Sequence, residues 1–207
     1  MVLMQDEMKQ YLEEDGRRSI RLKDYDYGKA GAYFVTICTQ GQKNLFGEVL
    51  NGEMLLNEIG RVMKKWWEEI DSKFKNVGLD EFVIMPNHFH GIVIIVGADL
   101  RVCPDKMGEH TGSPLHRIVQ WFKTMTTNEY IRNVYNQRWK PFSKRVWQRN
   151  YYEHIIRNEE KLNKIRYYIQ TNPLKWHLDR ENQQRVGSDE LEEEIFTSKK
   201  ISQLSKG

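Results

Sequence analysis

Two histidines two residues apart, His88 and His90, open an apolar, β-branched run that continues through Gly91-Ile92-Val93-Ile94-Ile95-Val96. Side chains alternate along a strand, so both imidazoles project from one face and Phe89 from the other. Two neighbouring nitrogens on a rigid strand suit one divalent metal; the plainer alternative is a pair of inert, hydrogen-bonded histidines at a strand edge. Pro86-Asn87 reads as a turn that lifts His88 to the end of the sheet. Gly91 removes a side chain beside the expected metal and would leave room for a substrate backbone. No acid lies inside the motif and no HExxH helix is present, so a zinc protease is excluded.

A second group of residues lies near the end of a helix expected over Glu159 to Thr171, opened by Asn158 and closed before Pro173. Tyr168 and Asn172 are four apart, hence one turn above each other on one face. The Asn172 carboxamide oxygen is a hard ligand able to complete a His88, His90, Asn172 set for magnesium or manganese, and the Tyr168 phenol is a nucleophile in the making. A free phenol titrates near ~10, so at neutral pH it needs a base or a nearby positive field. Read singly, Tyr168 would be a core residue and Asn172 a helix cap. Tyr167 is a rival phenol, but the residue one turn beyond it is Thr171, a poorer ligand; Tyr151 and Tyr152 precede the helix.

These groups need a scaffold. Ala32 to Cys38 reads as a buried strand, Leu55 to Phe74 as an amphipathic helix starting at Asn57 or Asn51, and Leu79 to Met85 with His88 to Val96 as a hairpin around Pro86-Asn87. Residues 97–113 read as a loop, Leu115 to Val134 as a helix capped by Ser113 with Pro114 in its first turn, and Val146-Trp147-Gln148 as a short strand. The order β-α-β-β-α-(β)-α predicts an α+β fold of ferredoxin-like type, an antiparallel sheet with helices packed on one face. Residues 1–18 read as an N-terminal arm, 19–176 as the domain, and 177–207 as an acidic mobile tail or frayed helix.

With 207 residues, 39% hydrophobic, and a mean hydropathy of −0.73, the chain supports one core and excludes wholesale disorder. Its apolar runs are too short to span a bilayer, the first residues lack a secretion signal, and its two cysteines form no CxxC pair. A cytoplasmic protein with no membrane contact is expected. The net charge of +3 hides an asymmetry, since Pro114 to Trp176 holds thirteen Lys and Arg against four acids, interleaved with aromatics. Such a block suits phosphates and unstacked bases. A non-catalytic nucleic-acid binder, or a metal-dependent phosphodiesterase using water, would explain parts of this pattern. No Gly-rich phosphate loop is present, so ATP chemistry is unsupported.

Three blocks in order, Met85-Pro86-Asn87-His88-Phe89-His90-Gly91, Trp147 to Asn158 and Tyr168-Ile169-Gln170-Thr171-Asn172-Pro173, resemble the REP-associated tyrosine transposases, single-tyrosine members of the HUH superfamily. The resemblance covers roughly Ser19 to Trp176. It implies a ferredoxin-like HUH core whose C-terminal helix carries the nucleophile, a divalent metal, and cleavage and joining of single-stranded hairpin DNA, REP-like palindromes, through a covalent 5′-phosphotyrosine. The histidine pair carries over to His88 and His90, the nucleophile to Tyr168 and the helical amide to Asn172; on such a substrate Arg145, Trp147, Arg149 and Arg157 would meet the single strand, and Arg117 and Lys123 the hairpin stem. Monomer and dimer are both compatible with it.

Overall fold

The computed structural model describes residues 30–96 and 113–197, so the expected arm at 1–18, the basic run from Arg17 to Lys23 and the loop at 97–112 lie outside the described residues. Strands β1 (Gly31–Cys38), β4 (Val77–Ile84), β5 (His88–Ile95) and β6 (Tyr152–Ile156) form one antiparallel sheet in the order β4-β5-β1-β6. Helix α1 (Glu58–Glu68), followed by the short α2 (Ile70–Lys73), connects β1 to β4, and α3 (Pro114–Tyr135) connects β5 to β6. Each connection skips one strand, which gives the two interleaved βαβ units of a ferredoxin-like α+β fold. Helices α4 (Glu159–Thr171) and α5 (Glu190–Thr197) complete the described chain.

Three helix starts follow from capping. The side chain of Asn57 accepts from the Gly60 amide, Ser113 from His116 with Pro114 in the first turn, and Asn158 from Lys161. The helix expected over Leu55 to Phe74 is shorter at its start, because Leu55 and Leu56 belong to β3 (Glu53–Leu56), paired with β2 (Gly47–Leu50). The turn between them is Asn51-Gly52, both at positive φ (52° and 79°), the pairing that a two-residue hairpin favours. The last strand is β6, whereas Val146-Trp147-Gln148 contributes only the isolated bridge between Trp147 and Thr39.

Helices cover both faces of the sheet, not one. Tyr33, Val35, Ile37, Phe89 and Val93 face α1 and α3 (Met63, Trp67, Ile118, Phe122), while Phe34 and Ile92 face α4 and α5 (Ile165, Tyr168, Ile169, Ile195). The central strands are apolar on alternate sides in both registers, and neither face tolerates water. Gly91 falls on the first face, where a Cβ would lie 2.5 Å from a ring carbon of Trp67. Its missing side chain makes room for that indole and not, as the sequence suggested, for substrate.

Trp147 also belongs inside. It is 4% exposed, packs on Phe46 and Phe122, and donates its indole N–H to Thr126 Oγ1 at 2.9 Å. The surface stacking platform expected there is thus corrected to a core position, because the bridge to Thr39 turns the ring toward α3. Trp147→Ala should lower unfolding free energy by about 3–5 kcal/mol, read by chemical denaturation.

Candidate active site

The turn before β5 builds the histidine pair. Met85 N–H donates to His88 C=O at 2.8 Å, closing a tight connection around Pro86-Asn87. The Asn87 amide nitrogen donates to the carbonyls of Gln42 and Glu181, which fixes its Oδ1 as the acceptor that faces His88 Nδ1 at 2.8 Å. His88 therefore carries its proton on Nδ1 and turns a lone pair on Nε2 into the site. Thr36, across the ladder from His90, places its hydroxyl 2.8 Å from His90 Nδ1 in the same supporting role. The two Nε2 atoms approach to 2.9 Å, and both rings are fully buried. Burial, above all, lowers the pKa of each histidine, and for His90 the neighbouring His88 adds to it. Two neutral imidazoles whose Nε2 atoms converge on one point suit a cation.

Helix α4 is fixed on this face by the two-pronged pair of Arg166 with Asp80 of β4, at 2.6 and 2.9 Å. That pair brings Tyr168 Oη to 3.2 Å from His90 Nε2. Tyr167 is 56% exposed on the other side of the helix, and Tyr152 packs against Phe34 and Phe196, so among the described residues Tyr168 is the phenol that meets the histidines. Asn172, one turn on and 2% exposed, donates from Nδ2 to Asp179 Oδ2 at 2.9 Å, while its buried Oδ1 has no partner among the described residues.

Asp179 is the residue that sequence reasoning missed. Its Oδ2 lies 3.6 Å from His88 Nε2, and donor atoms of His88, His90 and Asp179 all lie within 4.8 Å of one another. An unpartnered amide oxygen, two imidazole lone pairs and one carboxylate form a mixed oxygen and nitrogen donor set that fits a hard divalent cation. The signal available was slight: Asp179 is the single acid between Asn172 and Arg180.

The segment after Trp176, expected as a mobile tail, is folded against the site as far as α5. Lys175 pairs with Asp189 at 2.9 Å, and Ile195 and Phe196 cover Phe34, His90 and Tyr168. Leu191 and Ile195, four apart in an otherwise acidic stretch, form the apolar stripe that makes this possible. Tyr168 donates to Glu192 Oε1 at 3.1 Å, which also accepts the Arg180 amide, and the phenol is 2% exposed. Burial, then the charges of Asp179 and Glu192, pushes the Tyr168 phenol well above its ordinary range. Helix α5 thus closes the phenol oxygen off from solvent.

Glu192 itself is pushed up to about 7, chiefly by burial. A carboxyl whose folded pKa is raised favours the docked state while protonated and disfavours it once charged. Docking of α5 should therefore weaken as pH rises through about 7, seen as lower amide protection factors over residues 190–197 at pH 8 than at pH 6 after the intrinsic pH dependence of exchange is divided out. Glu192→Gln, which cannot ionise, should abolish that difference.

Among the expected nucleic-acid contacts, Arg117, Arg145, Arg149 and Arg157 are exposed. Lys123 is not; it is 8% exposed and its ammonium donates to the carbonyls of Gln148, Arg149 and Asn150 at 3.0–3.4 Å. Burial lowers it to about 8. Its first task is to tie α3 to the segment leading into β6, a correction to the stem contact expected of it.

The two interleaved βαβ units define an α+β fold shared with a solved transposase. That structure, a REP-associated tyrosine transposase bound to a REP hairpin, superposes with a TM-score of 0.50 at 18% identity, over 76% of this chain and 74% of that one. The chain belongs to the same family as a Haemophilus influenzae protein carrying the description "uncharacterized protein", to which it is 42% identical over 171 residues, 79% of this chain and 91% of that protein. No protein-family model matches the chain. Among the described residues no helix is long and apolar enough to cross a membrane.

Proposed function

We propose that this protein is a metal-dependent transposase of the HUH type that cleaves and rejoins single-stranded hairpin DNA through a covalent 5′-phosphotyrosine. The observation that carries the reading is the position of Tyr168 Oη, 3.2 Å from His90 Nε2 and on the same buried face as His88, Asn172 and Asp179. His88, His90 and Asn172 would hold magnesium or manganese, with Asp179 joining them through the same pocket. The cation, when bound, supplies charge neutralisation at a non-bridging phosphate oxygen.

Everything else falls to the chain. Tyr168 Oη gives its proton to the Glu192 carboxylate that accepts its hydrogen bond and attacks phosphorus; the bond to the 3′ oxygen breaks, and that oxygen takes up a proton and leaves as a hydroxyl. The product is a phosphotyrosine diester on the 5′ end of one fragment, and attack by another strand's 3′-hydroxyl reverses it without an external energy source. Asn87 and Thr36 hold the imidazoles in the orientation this needs. Arg117, Arg145, Arg149 and Arg157 neutralise phosphates of the bound strand. A hairpin as substrate is supported by the REP hairpin on the transposase of like fold. Two cysteines with no CxxC pair support a reducing, cytoplasmic setting.

The test is cleavage of an end-labelled single-stranded hairpin with magnesium or manganese, repeated with excess EDTA. Cleavage that stops in the chelator and returns on adding metal supports the reading. Unchanged cleavage in chelator removes the metal from the mechanism.

A further inference from the structure

We infer that the groove between α3 and the segment leading into β6 is a receptor for one unpaired nucleotide of the bound strand, with its base inserted and its phosphate on the rim. The proposal rests on the reading of the protein as a single-strand DNA enzyme and assigns a place to one part of that substrate.

The groove is an open one of about 510 Å³, room for a nucleobase and its sugar. Its floor is apolar and aromatic, made by Ile131, Phe142, Val146 and Trp147. Besides the buried Lys123, its polar lining includes uncharged amides and hydroxyls, with Gln120 and Asn128 on α3 carrying both a donor and an acceptor suited to a base edge. Lys144, Arg145 and Arg149 are exposed on its rim, no acid lines it, and no described carboxylate forms an ion pair with these three cations. A hydrophobic floor, amide edges and unneutralised guanidinium groups are the three things a nucleotide presents partners for: ring face, base edge and phosphate. A duplex hides its ring faces and offers no base to such a cavity.

The walls are rigid. Lys123 holds three successive carbonyls of the segment, from Gln148 to Asn150, and the Trp147 indole is fixed to Thr126. The groove is also tied to the catalytic end of the sheet: Gln148 N–H donates to the Cys38 carbonyl at 2.9 Å, and Cys38 is paired with His88.

The experiment uses the full-length Tyr168→Phe protein, so that binding is read without reaction. Its probes are a fluorescein-labelled single-stranded oligonucleotide carrying one 2-aminopurine and the same strand annealed to its complement. The base should change its fluorescence on binding in the single strand only. Asn128→Leu, on an exposed helix position, fills the groove with a good helix former; it should weaken single-strand binding by about tenfold with an unchanged salt slope and leave duplex binding as it was. Arg145→Ala should lower the salt slope by about one. Equal loss on single strand and duplex, or no loss with Asn128→Leu, overturns the proposal. A wild-type protein that forms no covalent adduct while these binding results hold defeats the catalytic reading and leaves the groove standing; adduct formation with an unaffected Asn128→Leu protein does the reverse.

Discussion

Tyr168→Phe should form no covalent protein–DNA adduct, a loss of at least about 10³-fold against wild type, with hairpin affinity retained. The substitution deletes one oxygen and keeps the ring that packs edge-on to Phe34 and Phe196. It also removes the hydrogen bond to Glu192, which contributes about 1 kcal/mol, so the protein should remain folded at ambient temperature. Circular dichroism and a hairpin binding curve for the same preparation separate lost chemistry from lost fold. Should Tyr168→Phe retain the adduct and Tyr167→Phe lose it, the register assigned to α4 is wrong. The exposure of Tyr167 argues against that outcome.

The second large effect is expected at the histidines. His88→Ala and His90→Ala should each abolish cleavage and weaken manganese binding, measured by calorimetric titration, by at least about 100-fold. Their effect on hairpin affinity should be small, since one metal acts on one phosphate among many contacts. Asn87→Ala supplies the graded control. It leaves both ligands in place but frees the His88 ring to adopt the wrong tautomer, so a loss of about 10–100-fold in metal affinity is expected. Equal manganese affinity in wild type and His90→Ala would place the cation elsewhere.

Much of the scaffold was legible because local signals agreed with the tertiary fold. Asn57, Ser113 and Asn158 each cap the helix they precede, and the alternation of His88 and His90 placed both imidazoles on one face. The errors share a cause. Leu55 and Leu56 continue the helical spacing of Ile59 and Val62, so periodicity extended the helix through β3, although Asn51-Gly52 was a hairpin signal. Trp147 stands amid arginines in a basic segment, and composition put it at the surface; only its bridge to Thr39 reveals which way the ring faces. Asp179 and Glu192 reach the site through turns and a helix whose placement depends on long-range pairs such as Lys175 with Asp189. No spacing rule within the segment encodes that.

The most direct test of the central claim is a denaturing gel on full-length protein incubated with a single-stranded hairpin and manganese, the DNA labelled in one sample at its 3′ end and in another at its 5′ end. The tyrosine mechanism places protein on the 5′-phosphate of the downstream fragment. The 3′ label should therefore migrate with the polypeptide, resist boiling in detergent, and be traced by peptide mass analysis to the residue Tyr168. The 5′ label should run as a shorter free strand ending in a 3′-hydroxyl. Two free fragments with no label on protein would show that water is the nucleophile and contradict the account.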